Sequence, residues 1–221
     1  MSEESLPPGD ITTNTYIDPG ATTKEAYEIS KTSRTLARKM VGNTTVDDRI
    51  RQRCSVAVGD FGMADLLRFE GSPVPAALGA IKSASPIITD IRMVQVGIQK
   101  KGHACEVICA LDYGGDIARR QGITRSSAGF LALREKIPGS IVVIGNAPSA
   151  LLTVCSMIRE GIRPAVVIGA PVGFVNAAES KALLRTIDIP SISTEGTRGG
   201  TPVAVAAINE CITIHIEDAR E

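Results

Sequence analysis

Tryptophan is absent from the chain and only seven residues are aromatic, three Tyr and four Phe. Such a chain offers no stacking platform for bases, which argues against single-stranded nucleic-acid binding. Net charge is missing as well, because 24 Lys and Arg balance 24 Asp and Glu. Without a basic surface neither nucleic acid nor a membrane is expected as a partner. No apolar run approaches the roughly 18 to 20 residues of a membrane-spanning helix, and the start MSEESLPPGD lacks the basic-then-apolar pattern of a secretory signal. A cytoplasmic location is the expectation.

Histidine is scarce, with only His103 and His215, far apart and without metal-ligand spacing. The five cysteines, Cys54, Cys105, Cys109, Cys155 and Cys211, form no C-x-x-C pair. Cys105 and Cys109, read on one face of a strand, would stand roughly 13 Å apart, too far for a disulfide or a shared metal. Buried structural thiols and no metal site are expected. No G-x-G-x-x-G, G-x-x-x-x-G-K-S/T or G-x-S-x-G motif occurs. Nucleotide binding is therefore disfavoured, as is hydrolase chemistry through Ser30, Ser33, Ser126 or Ser149.

What is present is 221 residues with 43% apolar content, enough for one sizeable core. Residues 1–20, with Pro7-Pro8-Gly9 and Asp18-Pro19-Gly20, read as a flexible arm before a single domain at 21–221. A first helix is predicted from Thr22 or Thr23 to about Met40, closed by an αL cap at Gly42-Asn43, and a second from about Thr45 with Asp47 and Asp48 in its first turn. After the break at Gly59-Asp60-Phe61-Gly62, a third helical stretch is predicted over Met63 to Phe69, and Pro73 or Pro75 opens a fourth over Ala76 to Ser83. From Pro86 the pattern alternates, with strands at 86–89, 105–111, 141–145, 165–169 and 190–194. Helices are read near 90–97, 115–121 with 125–136, 147–160, 176–185 and 200–210. This predicts a three-layer α/β/α, flavodoxin-like or Rossmann-like sandwich on about five parallel strands, with an N-terminal helical layer. The alternating run Ile212 to Ile216 reads as an edge strand with His215 exposed on it, and His103 as a solvated loop residue.

The turns after the strands hold the candidate ligand groups. Gly145-Asn146-Ala147-Pro148 starts a helix whose N–H groups could face an anion. Pro171, Val172 and Gly173 lie in a small-residue loop that admits close backbone approach. Glu179 and Lys181 follow it, either as functional groups or as a solvated helix face. Thr124-Arg125-Ser126 and Arg198-Gly199-Gly200 place an arginine beside a helix start, so two arginines at one sheet edge suit a ligand with several carboxylates. The alternative is a pair of surface arginines in turns.

The segments EVICAL (106–111), TRSSAG (124–129), IVVIGNAPSAL (141–151), AVVIGAPVGFVNAAESK (165–181) and the IP…RGGTP stretch (189–202) closely resemble the precorrin-8X methylmutase family of cobalamin biosynthesis. The likeness extends through SPIITDIRMVQVGI (85–98) and more loosely to Tyr27-Glu28-Ile29-Ser30, covering about residues 16–212. It implies a homodimeric, flavodoxin-like isomerase without a cofactor. The implied reaction moves a methyl group from C-11 to C-12 of precorrin-8 or cobalt-precorrin-8, a macrocycle bearing acetate and propionate arms, and yields hydrogenobyrinic or cobyrinic acid. Ser30 and Asp90 join the implied substrate-binding set with Thr124, Arg125, Ser126, Gly145, Asn146, Ala147, Pro171, Val172, Gly173, Arg198, Gly199 and Gly200.

The family pattern carries a catalytic histidine two residues before a short x-Gly-Asp. Here the run is Ser55-Val56-Ala57-Val58-Gly59-Asp60, which puts Val56 at that position. Valine cannot act as a general acid. Two readings follow, a methylmutase-type isomerase and a catalytically impaired or repurposed corrinoid-binding protein. A nucleotide or flavin domain is suggested by fold alone.

Overall fold

A computed structural model describes residue 21 and residues 23–219; the arm expected at 1–20 lies outside them. The first helix, α1 (Lys24–Val41), starts where the Thr23 hydroxyl accepts the Ala26 N–H at 3.2 Å. It stops at Gly42 with φ 103 and ψ 171, which is not the αL cap anticipated there. Helix α2 (Val46–Val58) opens with a capping box: Thr45 accepts the Asp48 N–H at 3.2 Å and Asp48 accepts the Thr45 N–H at 3.0 Å.

The expected third helix is not formed. Phe61–Leu66 makes a 3₁₀ turn, capped by Asp60 on the Gly62 N–H, and β1 (Leu67–Glu70) follows. Strand β1 pairs antiparallel with β6 (Ser191–Thr194), Leu67 opposite Thr194 and Glu70 opposite Ser191. An open edge on β6, with Leu67 and Phe69 packing on the core and Glu70 exposed, outweighs the helical spacing. Helix α3 (Pro73–Lys82) comes next, with proline in its first turn.

The rest alternates as expected: β2 (Ile87–Thr89), α4 (Arg92–Gly97), β3 (Val107–Cys109), α5 (Gly115–Gln121), α6 (Arg125–Ala132), β4 (Ile141–Ile144), α7 (Pro148–Arg159), β5 (Val166–Gly169), α8 (Ala177–Arg185), β6 and α9 (Thr201–Asp218). The sheet order is β1-β6-β5-β4-β2-β3, and β2 to β6 are parallel. Apart from the antiparallel edge strand, this is the 2-1-3-4-5 order of flavodoxin-like sheets, with the switch point between β2 and β4.

Alternate strand residues feed two cores. Ile141, Val143, Val166 and Ile168 pack with α2, α3, α4 and α9, while Val142, Ile144 and Val167 pack with α6, α7 and α8. The predicted edge strand at 212–216 belongs instead to α9. Ile208, Cys211, Ile212 and Ile214 are all buried, so this helix is apolar on nearly every side, and burial overrides the β-branched alternation. The Thr213 hydroxyl donates to the Asn209 carbonyl at 2.9 Å, as only a helix allows, and His215 sits half-buried on the last turns. All five cysteines are free and buried, and burial pushes the Cys155 and Cys211 thiols up to about 11 and about 12.

Candidate functional site

The carboxyl ends of β2 and β4 meet at Asp90, which is fully buried. Its carboxylate accepts N–H bonds from Gly145 at 3.2 Å, Asn146 at 2.8 Å and Ala147 at 2.8 Å. The anion on the amides before α7 is thus the chain's own side chain, although burial pulls the Asp90 carboxyl above its ordinary value against those three bonds. Gly145 is required for another reason. A Cβ there would lie 2.9 Å from the Thr201 Cα, so glycine lets the start of α9 close onto the sheet.

Along the same edge, the Gly173 N–H donates to the Thr197 carbonyl at 3.1 Å and the Gly200 N–H to the Ala170 carbonyl at 2.7 Å. Gly199, with φ +155, could carry no Cβ without meeting the Ala170 oxygen at 2.4 Å. These bonds join the loop of Pro171, Val172 and Gly173 to that of Arg198, Gly199 and Gly200. Thr124 lies on the edge too, its hydroxyl 2.8 Å from those of Ser127 and Ser149, with Ser126 buried beside it. Arg125 donates to the Leu111 carbonyl at 2.8 Å, and Arg198 pairs with Asp60 at 2.8 Å. The Arg198–Asp60 pair links the sheet edge to the end of α2, four residues after Val56.

Beyond that link, a cavity of about 690 Å³ opens between α1, α2 and the start of α9. Ser30, Ser33, Val56, Ala57, Pro202 and Val205 form part of its wall, and Arg34 and Arg53 are the charged residues among its described lining. Ser30 and Val56, distant in sequence, are therefore brought together. The arginines were not foreseen. Both are tied to Glu210, which is fully buried in α9, Arg34 at 2.5 Å and Arg53 at 3.4 Å, while Arg49 binds its other oxygen at 2.9 Å. A lone acidic residue inside the apolar run from Val203 to Ile216 was the available signal, since a buried carboxylate requires cationic partners. A second cavity, about 540 Å³, mixes signs, with Asp48, Asp65, Arg51 and Arg68 on its wall. It suits a polyanion less well.

His103 lies in a loop as expected, but half-buried rather than freely solvated. Its Nδ1 accepts the Cys105 N–H at 3.1 Å, so Nε2 donates to the Gln99 carbonyl at 2.7 Å, and both nitrogens are spent on the turn.

The chain matches the family model described as precorrin-8X methylmutase over residues 28–214. The chain belongs to the precorrin-8X methylmutase family. A cobalt-precorrin-8 methylmutase of Methanocaldococcus jannaschii is 38% identical over 206 residues, covering 87% of this chain and 96% of its own. A precorrin-8X methylmutase of Pseudomonas aeruginosa is 37% identical over 173 residues, covering 75% of this chain and 83% of its own. The solved precorrin-8X methylmutase of Thermus thermophilus is similar at TM-score 0.80 and 34% identity, over 86% of this chain and 97% of that one.

Within this family member, Lys181 of the AAESK segment is not on a solvated face. It is fully buried, donating to the Thr194 hydroxyl at 2.9 Å and the Arg198 carbonyl at 2.7 Å, and so secures the β6–α9 loop. Burial, then Arg185, pulls its amine down to about 8. Between about pH 8 and 10.5 the unfolded chain holds a proton that the native one has shed, so this group makes stability rise with pH. Relative to Lys181→Met, the parent should gain about 2 kcal/mol between pH 7 and 9.5 in urea unfolding. A pH-independent difference would mean that Lys181 titrates normally.

Proposed function

We propose that this chain is a methylmutase-type isomerase acting on precorrin-8 or cobalt-precorrin-8, moving a methyl group from C-11 to C-12 to give hydrogenobyrinic or cobyrinic acid. The observation that carries this reading is the cavity itself. It joins Ser30 and the Val56 position between apolar walls, with arginines and no carboxylate among its described lining residues. An apolar chamber with cationic anchor points fits a hydrophobic macrocycle with acid arms. At about 690 Å³ the cavity is smaller than such a macrocycle, so part of the ligand would extend toward the sheet edge and its loops. The same reading includes a homodimer in the cytoplasm. Phe174 and Val175, 94% and 77% exposed beside the Pro171–Gly173 loop, are apolar surface that a second copy would cover.

Among the described residues lining the cavity there is no His, Cys, Asp, Glu or Lys. The chain therefore supplies binding, orientation and positive charge there, while the proton that a histidine would offer is missing at Val56. The second reading, a corrinoid-binding protein without appreciable turnover, rests on Val56 at the position where the family pattern carries histidine. Mixing the purified protein with cobalt-precorrin-8 and following the corrinoid absorption spectrum separates the two. Conversion to cobyrinic acid supports the isomerase, saturable binding with an unchanged spectrum supports the binding protein, and no interaction removes both.

A further inference from the structure

The polar side chains in the described wall of the cavity are those of Ser30, Ser33, Arg34, Arg53 and Asn209. The last three are engaged within the protein. Arg34 and Arg53 hold Glu210 at 2.5 and 3.4 Å, and Asn209 donates to the Gly97 carbonyl and accepts the Gln99 N–H, both at 2.9 Å. The two serines differ. A hydroxyl inside a helix can donate to the carbonyl one turn back, as Thr35 does to Lys31 at 2.9 Å on the same helix and Thr153 to Ser149 at 3.0 Å. Neither the Ser30 nor the Ser33 hydroxyl has a hydrogen-bond partner among the described residues.

Their spacing of three residues puts both on one face of α1, and Val56 on α2 lines the same cavity. Their surroundings are unequal. Ser30 follows Ile29, which is 60% exposed, whereas Ser33 precedes Arg34, 5% exposed, and stands one turn before the fully buried Ala37. A hydroxyl in the drier stretch is the costlier one to leave unpaired and makes the stronger bond to a ligand.

The methyl shift is internal to the macrocycle: the bond to C-11 breaks as the bond to C-12 forms, and no proton or electron has to enter or leave. A donor contributes by stabilising the charge that shifts within the conjugated ring during migration, and the ring nitrogens are the acceptors there. A hydroxyl can make that bond without ionising.

We propose that the Ser33 hydroxyl is a catalytic hydrogen-bond donor of this cavity, aimed at a ring nitrogen of the macrocycle, in the part that the family histidine would take. The proposal rests on the isomerase reading made above. It sets Ser33 apart from Ser30, which the family resemblance puts in the substrate-binding set.

Steady-state conversion of precorrin-8, followed by the corrinoid absorption spectrum, tests it in the full chain. Ser33→Ala should lower kcat about 10²-fold, the worth of one donor aimed at developing charge, with KM within about threefold of the parent. The same change made in a Val56→His background should cost only a few-fold, because an imidazole there supplies the same bond. Unchanged kcat in Ser33→Ala, or a loss confined to KM, overturns the proposal. Equal losses in the two backgrounds overturn it as well, since they mean that the serine acts on the structure of α1 and not on the reaction. A parent that binds cobyrinic acid but converts no precorrin-8 removes the isomerase reading, and the proposal with it.

Discussion

Glu210→Gln should destabilise the fold by about 3–5 kcal/mol, the cost of removing one partner from a buried ion cluster. The carboxylate is fully buried and its two oxygens serve Arg34, Arg49 and Arg53. A glutamine amide fills nearly the same volume, but it presents two N–H donors on one side and only one neutral oxygen on the other. Three guanidinium groups would then face a neutral oxygen in place of a full negative charge, in a low-dielectric setting. The elements that lose cohesion are α1, α2 and α9, the three that enclose the cavity. In a chain of this size the change should lower the melting temperature by roughly 10 °C. A variant within about 1 kcal/mol of the parent in urea unfolding would mean that solvent reaches the cluster and screens it.

Val56→His should raise the methyl-migration rate by about 10²–10⁴-fold if the cavity otherwise suits the reaction, the usual worth of a positioned general acid. Val56 is 41% exposed on the last turns of α2 and lines the cavity, so an imidazole fits without opening the core. Arg53 stands one turn earlier on the same helix, and its charge disfavours a protonated imidazole. The gain should accordingly be larger near pH 6 than near pH 8, since only the protonated ring can act as the acid. Progress of the corrinoid spectrum at the two pH values measures it. A well-folded variant that binds cobyrinic acid yet gains nothing at either pH would show that the pocket departs from an isomerase at more than this one position.

Much of the architecture was legible because the strand and turn signals are local. Runs such as Ile141–Ile144 and Val166–Gly169 are buried on both faces and read as continuous apolar segments. The turns that follow them carry their own chemistry, Pro148 in the first turn of α7 and the small residues after β5. Errors fell where neighbours decided. Leu67–Glu70 is a strand because the edge of β6 required a partner, and residues 212–216 are helical because the surrounding elements bury them on most sides. The anion foreseen at Gly145–Ala147 turned out to be Asp90, which arrives from a different strand.

By itself, then, the sequence determined the order of strands and helices from residue 86 to about 210, the family, and the identity of Val56, since all of these follow from local pattern. Tertiary structure alone decided what lies next to what. It brought Ser30 and Val56 to one cavity, set Arg34 and Arg53 on Glu210, and buried Lys181 beneath the loop that carries Arg198. The physical reason is range. Backbone preference and hydrophobic period act over a few residues, whereas a buried charge is satisfied by whichever partner the fold delivers, here from 176 residues away along the chain.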